Sequence, residues 1–284
     1  MPRTVSRDPR ISRVIGLSAV TVVLLVLLWP VFSRALAVWT SDPFMDFGFA
    51  LPPVAVGAVW WHRRALRASQ GRGASAGLII IVLALIVLLA SERLWARSPA
   101  AVAAGFLVWG IVIFGWGWTA ARILAFPIGL VTAGLAMQST LLSGLGFALQ
   151  GVTATGAAVV ARALGLHVVG DGLLLRGPTY SFIVTDACSG MSSLLALLLM
   201  AIIWIYVARG GFVARSLVVA AVLPLVVISN TTRVSLVLLV ADRFGQDAAL
   251  GFFHGASSLV LFGIALIGLL VVSRTVGCRV PLVA

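Results

Sequence analysis

Long apolar runs separated by short, arginine-bearing segments constrain this chain more than any other feature. The run from Val14 to Phe32 is about 19 residues long, which at about 1.5 Å per residue lets a helix cross the hydrocarbon core of a bilayer. Only 10% of the 284 residues are charged, against about 25% in an average soluble domain. The sequence therefore predicts an all-α integral membrane protein.

Nine apolar segments are candidate membrane spans. They cover residues 14–32, 43–61, 77–95, 99–119, 123–142, 144–164, 188–208, 216–240 and 251–273. The chain has no linker long enough to separate a second domain. We expect residues 1–284 to form a single polytopic transmembrane domain.

The placement of arginine predicts the topology. The net charge of +12 comes from arginine alone, because the chain has no lysine. Under the positive-inside rule, the arginines near the N-terminus, in 62–73, in 209–215 and after residue 273 should lie in the cytoplasm. This arrangement requires that one of the nine segments does not cross. The most polar one is 144–164, so we expect eight crossings, with this segment interfacial or re-entrant.

A short β-prone stretch lies between two of the spans. Residues 165–187 alternate apolar and polar side chains, and turn signals occur at 170–172 and at 177–178. We expect a small hairpin or loop there, on the extracytoplasmic side.

Three chemically capable side chains lie near the ends of the last three spans. Cys188 begins its span at the predicted outer surface, Arg233 lies about 25 Å from the inner end of the next, and His254 lies one turn into the last. The topology therefore predicts that a thiol, a guanidinium and an imidazole converge at one extracytoplasmic depth. An arginine in a span is costly unless it faces protein or water, which makes it a functional candidate.

The same residues carry a family resemblance. Ala187-Cys188-Ser189-Gly190 at the start of a span, Asn230 and Arg233 in the next, and His254 in the last resemble the exosortase/archaeosortase family. The resemblance extends more weakly to 48–53 and 126–127. Two positions depart from the family pattern: Phe47 stands where many members have histidine, and Asp186 where glutamate is usual.

The resemblance implies a membrane-embedded cysteine protease or transpeptidase that cleaves the C-terminal sorting signals of exported proteins. Cys188 would attack the peptide carbonyl, His254 would carry the proton, and Arg233 would stabilise the tetrahedral oxyanion. A thioester on Cys188 would then pass to water or to an amine. The compartment implied is the inner, cytoplasmic membrane of a prokaryotic cell, with the site on the extracytoplasmic side.

Four neighbouring residues are candidate supports for substrate or oxyanion. Asn230 shares a helix face with Arg233, because the two are three positions apart. Gly190 would let a substrate backbone approach closely. Asp186 could cap the following helix or orient His254, and Ser189 is an alternative nucleophile, although a thiol is far more nucleophilic at neutral pH.

A rival interpretation from another class stays open. A small membrane transporter or a non-catalytic membrane scaffold would use Arg233 as an anion-binding site, with Cys188 as a packing residue. Motifs for phosphate or dinucleotide binding and metal-ligand spacings are missing from the sequence, so we expect no cofactor and no metal. The arginines fit contact with the lipid bilayer, and we expect no nucleic-acid partner.

Overall fold

The computed structural model describes residues 9–42, 45–69, 71, 73–137, 139–185 and 188–279. Within its helices, the side chains of 9–21, 46, 139–143 and 252–259 lie outside this description. The chain divides into two compact units, Met1–Gln138 and Ser139–Ala284.

The first unit is helical throughout its described part. Its elements are α1 (Pro9–Ser41), a 3₁₀ helix (Asp46–Ala50), α2 (Leu51–Trp61), α3 (Arg63–Ala68), α4 (Ala76–Arg93) and α5 (Arg97–Ala136).

The second unit combines four helices with a small sheet. Its elements are α6 (Ser139–Ala163), β1 (Val169–Asp171), β2 (Leu174–Arg176), β3 (Ser181–Ile183), α7 (Met191–Val207), α8 (Phe212–Phe244) and α9 (Gln246–Thr275).

Apolar helices of membrane-crossing length confirm the prediction of an all-α membrane protein. In the described part of the chain, five stretches are long and apolar enough to cross a membrane: Val22–Ser41, Ala76–Arg93, Arg97–Ala136, Gly144–Ala163 and Phe212–Phe244. Three shorter apolar helices are Phe47–Trp61, Met191–Val207 and Val260–Thr275. The count of eight crossings stays a prediction.

Helix α5 is a hairpin of two antiparallel legs, as the separate predicted segments 99–119 and 123–142 require. The chain reverses at Gly117, whose φ of 82° and ψ of −179° are not helical. The Ser98 hydroxyl donates to the Ala136 carbonyl at 2.6 Å, and the Trp109 indole donates to the Ala121 carbonyl at 2.9 Å. Both bonds join one leg to the other, and the first joins residues equally far from Gly117, so the two legs pack side by side.

The second apolar segment begins on a tightly packed corner. A Cβ on Gly48 would lie 2.4 Å from the ring of Trp39, so only glycine lets this indole pack there. Leu51 is 2% exposed and points at Gly134 of α5. Prolines follow Leu51 in the first turn of α2, where a missing N–H costs no helical hydrogen bond. The Pro52-Pro53 pair therefore initiates this helix.

An ion pair joins the ends of two helices in the first unit. Arg34 near the end of α1 pairs with Glu92 near the end of α4. Because the partners neutralise each other, Glu92 does not stand as an isolated charge at a span end. The contact also places the C-terminal ends of α1 and α4 at the same level.

The predicted hairpin in 165–187 is a three-stranded antiparallel sheet in the order β1-β2-β3. Leu175 on β2 is fully buried, together with Val184 and Tyr180. They join one apolar cluster with alanines of α6 and with Val234 and Leu238 of α8. The sheet is therefore seated on the helices of its own unit, directly before Cys188.

Two of the four polar residues that mark 144–164, Gln150 and Thr153, face protein. Gln150 and Thr153 are 4% and 1% exposed, whereas Thr155 and Arg162 are exposed. Part of the polar surface that favours an interfacial placement of 144–164 is therefore buried against other helices of the unit. The interfacial placement itself stays a prediction, and Gly144–Ala163 is long and apolar enough to cross.

We predict that Gly117→Ala destabilises the protein by about 1–3 kcal/mol, because this backbone region is open almost only to glycine. Gly115→Ala is the matched control, since its added Cβ would meet nothing within 4 Å. Alanine should be neutral or slightly stabilising there. Thermal unfolding of the purified protein in detergent measures both. Equal melting temperatures for the two variants would contradict a turn at Gly117.

Candidate active site

Cys188 lies in a tight turn that leads into α7. Its backbone N–H donates to the Thr185 carbonyl at 2.8 Å. Its side chain is half-buried and packs against the cluster formed by α6, the sheet and α8. The intervening Asp186 lies outside the described residues, so its predicted supporting role stays a prediction.

Ser189 and Gly190 form the start of α7. Ser189 is 1% exposed, and its hydroxyl oxygen accepts the Met191 N–H at 3.1 Å. Gly190 has a φ of 83°, in the left-handed region, and its carbonyl accepts the Leu194 N–H. Ser189 therefore satisfies a helix terminus, which makes its hydroxyl a poorer alternative nucleophile than the half-buried thiol of Cys188.

Asn230 of α8 holds the Cys188 turn. Its amide nitrogen donates to the Cys188 carbonyl at 2.8 Å and to the Thr153 hydroxyl of α6 at 2.9 Å. A carboxamide nitrogen has two N–H donors, so both are used. Asn230 is 6% exposed. One buried side chain thus ties together α6, α8 and the turn that carries the thiol.

Gly190 has a second reason to be glycine. A Cβ at this position would lie 3.0 Å from Cγ and Nδ2 of Asn230. The missing side chain therefore lets the carboxamide reach the backbone of the Cys188 turn. The sequence predicted close approach of a substrate backbone at Gly190, and that approach stays a prediction.

Arg233 lies one turn beyond Asn230 on α8 and is half-buried. The two residues line one small pocket of about 10 Å³, which agrees with their spacing. Its other walls come from Ser193 of α7, from Val226 and Ser229 of α8, and from Leu261 and Phe262 of α9. Helical side chains lean toward the N-terminus, so the Arg233 side chain extends along α8 into the bundle.

His254 is placed by the register of α8 and α9. The two helices run antiparallel from the turn at Gly245, and the Ser229 hydroxyl donates to the Leu261 carbonyl at 3.0 Å, which pairs positions equally far from that turn. By this register His254 lies about three residues, or about 4.5 Å, from Arg233 along the axis. The imidazole itself lies outside the described side chains.

The structure brings part of the predicted site together. Asn230 contacts the Cys188 turn and shares a pocket with Arg233. Ser189 and Gly190 follow Cys188 and form the start of α7. Sequence reasoning missed Thr153, which accepts an amide N–H of Asn230. The signal was a polar residue in an apolar helix, with Gln150 one turn before it on the same face.

At the small sheet, the pKa of the Tyr180 hydroxyl is raised above its ordinary value. Burial raises the pKa of Tyr180, and the nearby carboxylate of Asp242 raises it further. The Ser181 N–H donates to the Gln246 side chain at 3.3 Å. The sheet therefore contacts the α8–α9 turn, which lies about 18 Å along α8 from Arg233.

Among the residues whose side chains the structure describes, no group of three His, Cys, Asp or Glu could hold a metal ion.

The fold and this site define a multi-pass helical membrane protein with a half-buried cysteine held by a buried carboxamide. A family model described as transmembrane exosortase matches residues 39–271. The chain belongs to the transmembrane exosortase family, which indicates a membrane-embedded sorting enzyme. Curated proteins give no match to the chain, and solved structures give none either.

We predict that Asn230→Leu destabilises the protein by about 1–3 kcal/mol, because two buried acceptors lose their donor. Thr153→Val should cost less, about 0.5–1.5 kcal/mol, since only one bond is lost. Thr232→Val is the control, because this exposed hydroxyl bonds only the Ile228 carbonyl of its own helix. Thermal unfolding in detergent ranks the variants. If Asn230→Leu unfolded at the same temperature as Thr232→Val, the hydrogen bonds of Asn230 to Cys188 and Thr153 would contribute nothing to stability.

Proposed function

We propose that this chain is a membrane-embedded cysteine protease or transpeptidase that cleaves the C-terminal sorting signals of exported proteins. One observation carries the proposal. The Asn230 side chain donates a hydrogen bond to the Cys188 carbonyl, and Asn230 lies one turn from Arg233 on α8. Family membership supplies the class of enzyme. Acyl transfer needs a positioned thiol and a donor for the oxyanion. Asn230 holds the backbone of Cys188, and Arg233 lies one turn from Asn230 on α8.

The reaction begins with attack of the Cys188 sulfur on a peptide carbonyl carbon. The thiol proton passes to His254, and the carbonyl electron pair moves to oxygen, where Arg233 stabilises the negative charge. The carbon–nitrogen bond then breaks, and the leaving amine takes the proton from His254. Attack by water or by an acceptor amine on the thioester releases the new C-terminus and restores the thiol. The role of His254 rests on its register with Arg233 and on the resemblance.

The site belongs, in this proposal, on the extracytoplasmic side of a prokaryotic cytoplasmic membrane. The support is the arginine distribution, which favours a cytoplasmic location for the opposite ends of α7 and α8, where Arg209 and Arg215 lie. Substrates are exported proteins with an apolar C-terminal tail, whose cleavage point would meet Cys188 near the membrane surface.

A transporter or scaffold with Arg233 as an anion site is the alternative. The Arg233 pocket has a volume of about 10 Å³, which suits a single water-sized group. A volume of this size favours a role in binding one oxygen of a held peptide over the passage of a solute. The half-buried Cys188 has no part in the alternative.

We predict that Cys188→Ala in the native host makes exported proteins keep an apolar, basic-ended C-terminal tail that the wild type removes. Quantitative mass spectrometry of membrane and secreted fractions measures the intact tails. Cys278→Ala is the matched control, because this second thiol is fully buried away from the Cys188 turn and should leave processing intact.

Arg233→Lys separates the enzyme from the alternative. Lysine keeps the charge but loses the planar, forked donors, so oxyanion stabilisation should fall by about 10²–10³ in rate. A simple charge anchor would tolerate the change. Identical tails in wild type and Cys188→Ala would refute the proposed enzyme and leave the transporter or scaffold.

A further inference from the structure

An apolar groove in the first unit lies far along the chain from the candidate active site. Its volume is about 520 Å³, and its walls come from α1, α2, α3 and both legs of α5. Leu28 and Phe32 of α1 face Val56 of α2 and Val131 of α5 across it. Nearly all of its lining is hydrocarbon, except at one end.

The length of the groove matches one leaflet of a membrane. Along α5 it runs from Leu124 to Leu135, which at about 1.5 Å per residue is about 16 Å. A bilayer has a hydrocarbon core of about 30 Å, so one leaflet takes up about half of that. An extended acyl chain would fill a groove of this length without reaching the opposite leaflet.

Two arginines close one end of the groove. Arg63 and Arg67 are four positions apart on α3, share one face of that helix and both line the groove. The Arg63 guanidinium lies 4.5 Å from the ring centre of Trp60 and donates one hydrogen bond to the Trp60 carbonyl. A guanidinium has five N–H donors, so this bond orients the group and leaves capacity for an anion.

Charge on this unit favours an anionic occupant. Two acids have described side chains in the first unit. Asp42 directly follows α1, and Glu92 lies in the last turn of α4. Glu92 lies about 24 Å along α4 from Ala76, the end next to α3. The end of the groove at Arg63 and Arg67 is therefore positively charged, and the rest of the groove is apolar. An apolar peptide with a basic end would be repelled there.

We propose that this groove binds an acyl chain of an anionic phospholipid, whose phosphate contacts Arg63 and Arg67. The proposal is independent of the reaction at Cys188 and stands if that reaction is not the one described above. Phosphate suits the forked donors of arginine. The lipid would lie in the apolar groove between α1, α2 and α5 and tie those helices to the membrane surface.

Native mass spectrometry of the purified full-length chain tests the proposal, with phosphatidylglycerol and phosphatidylcholine of identical acyl chains added to the detergent. We expect preferential retention of phosphatidylglycerol. The double variant Arg63→Gln/Arg67→Gln should lower that retention at least fivefold, because each surface arginine near anionic lipid contributes about this factor. Arg64→Gln is the matched control, since Arg64 is exposed and does not line the groove.

A second variant pair tests the channel. Val56→Trp places an indole in the groove and should lower retention, whereas Val82→Trp alters an exposed position on α4 outside it. Inorganic phosphate alone should not displace the lipid, because the acyl chain supplies most of the buried area. Equal retention of both lipids, or no loss in the double variant, would overturn the proposal. Displacement by an apolar peptide ending in three arginines would instead assign the groove to a protein tail.

Discussion

The second unit depends on one buried carboxamide. In a membrane no water reaches the interior to bond unpaired polar groups, so each must find a partner within the protein. Asn230 donates its two amide N–H groups to the Thr153 hydroxyl and the Cys188 carbonyl. The same side chain thereby fixes the spacing of α6 and α8 and the position of a turn that is otherwise irregular. Removing it would leave two buried acceptors without a donor.

The rest of the site follows from that contact through small residues. Gly190 leaves room for Asn230, and Gly156 of α6 leaves room for Thr231 of α8, where an added Cβ would lie 3.0 Å from the threonine. Ala154 and Ala157 of α6 are fully buried. Close helix packing by small residues is typical of membrane proteins. It brings Arg233 into a narrow pocket beside Asn230, where a guanidinium can face protein and not lipid.

Elements with strong local signals could be predicted from the sequence, and contacts through space could not. Apolar runs predicted the helices, and the turn signals at 170–172 and 177–178 predicted strands, although the third strand was not foreseen. The sequence predicted a break between 119 and 123, and the structure places the reversal slightly earlier, at Gly117. The spacing of Asn230 and Arg233 predicted a shared face. The partner Thr153 is 77 positions from Asn230, and no local pattern specifies such a pairing.

The proposed reaction makes one direct claim, that Cys188 carries a thioester while it proceeds. The most direct test is peptide mapping by mass spectrometry of the chain purified from its host after rapid acid quenching, before and after hydroxylamine. We predict that the Cys188 peptide carries, as a thioester, the segment of an exported protein that ends at the cleavage point, released by hydroxylamine, while the Cys278 peptide stays unmodified. A Cys188 peptide that is always free, in cells that still process sorting tails when Cys188 is alanine, would contradict the claim.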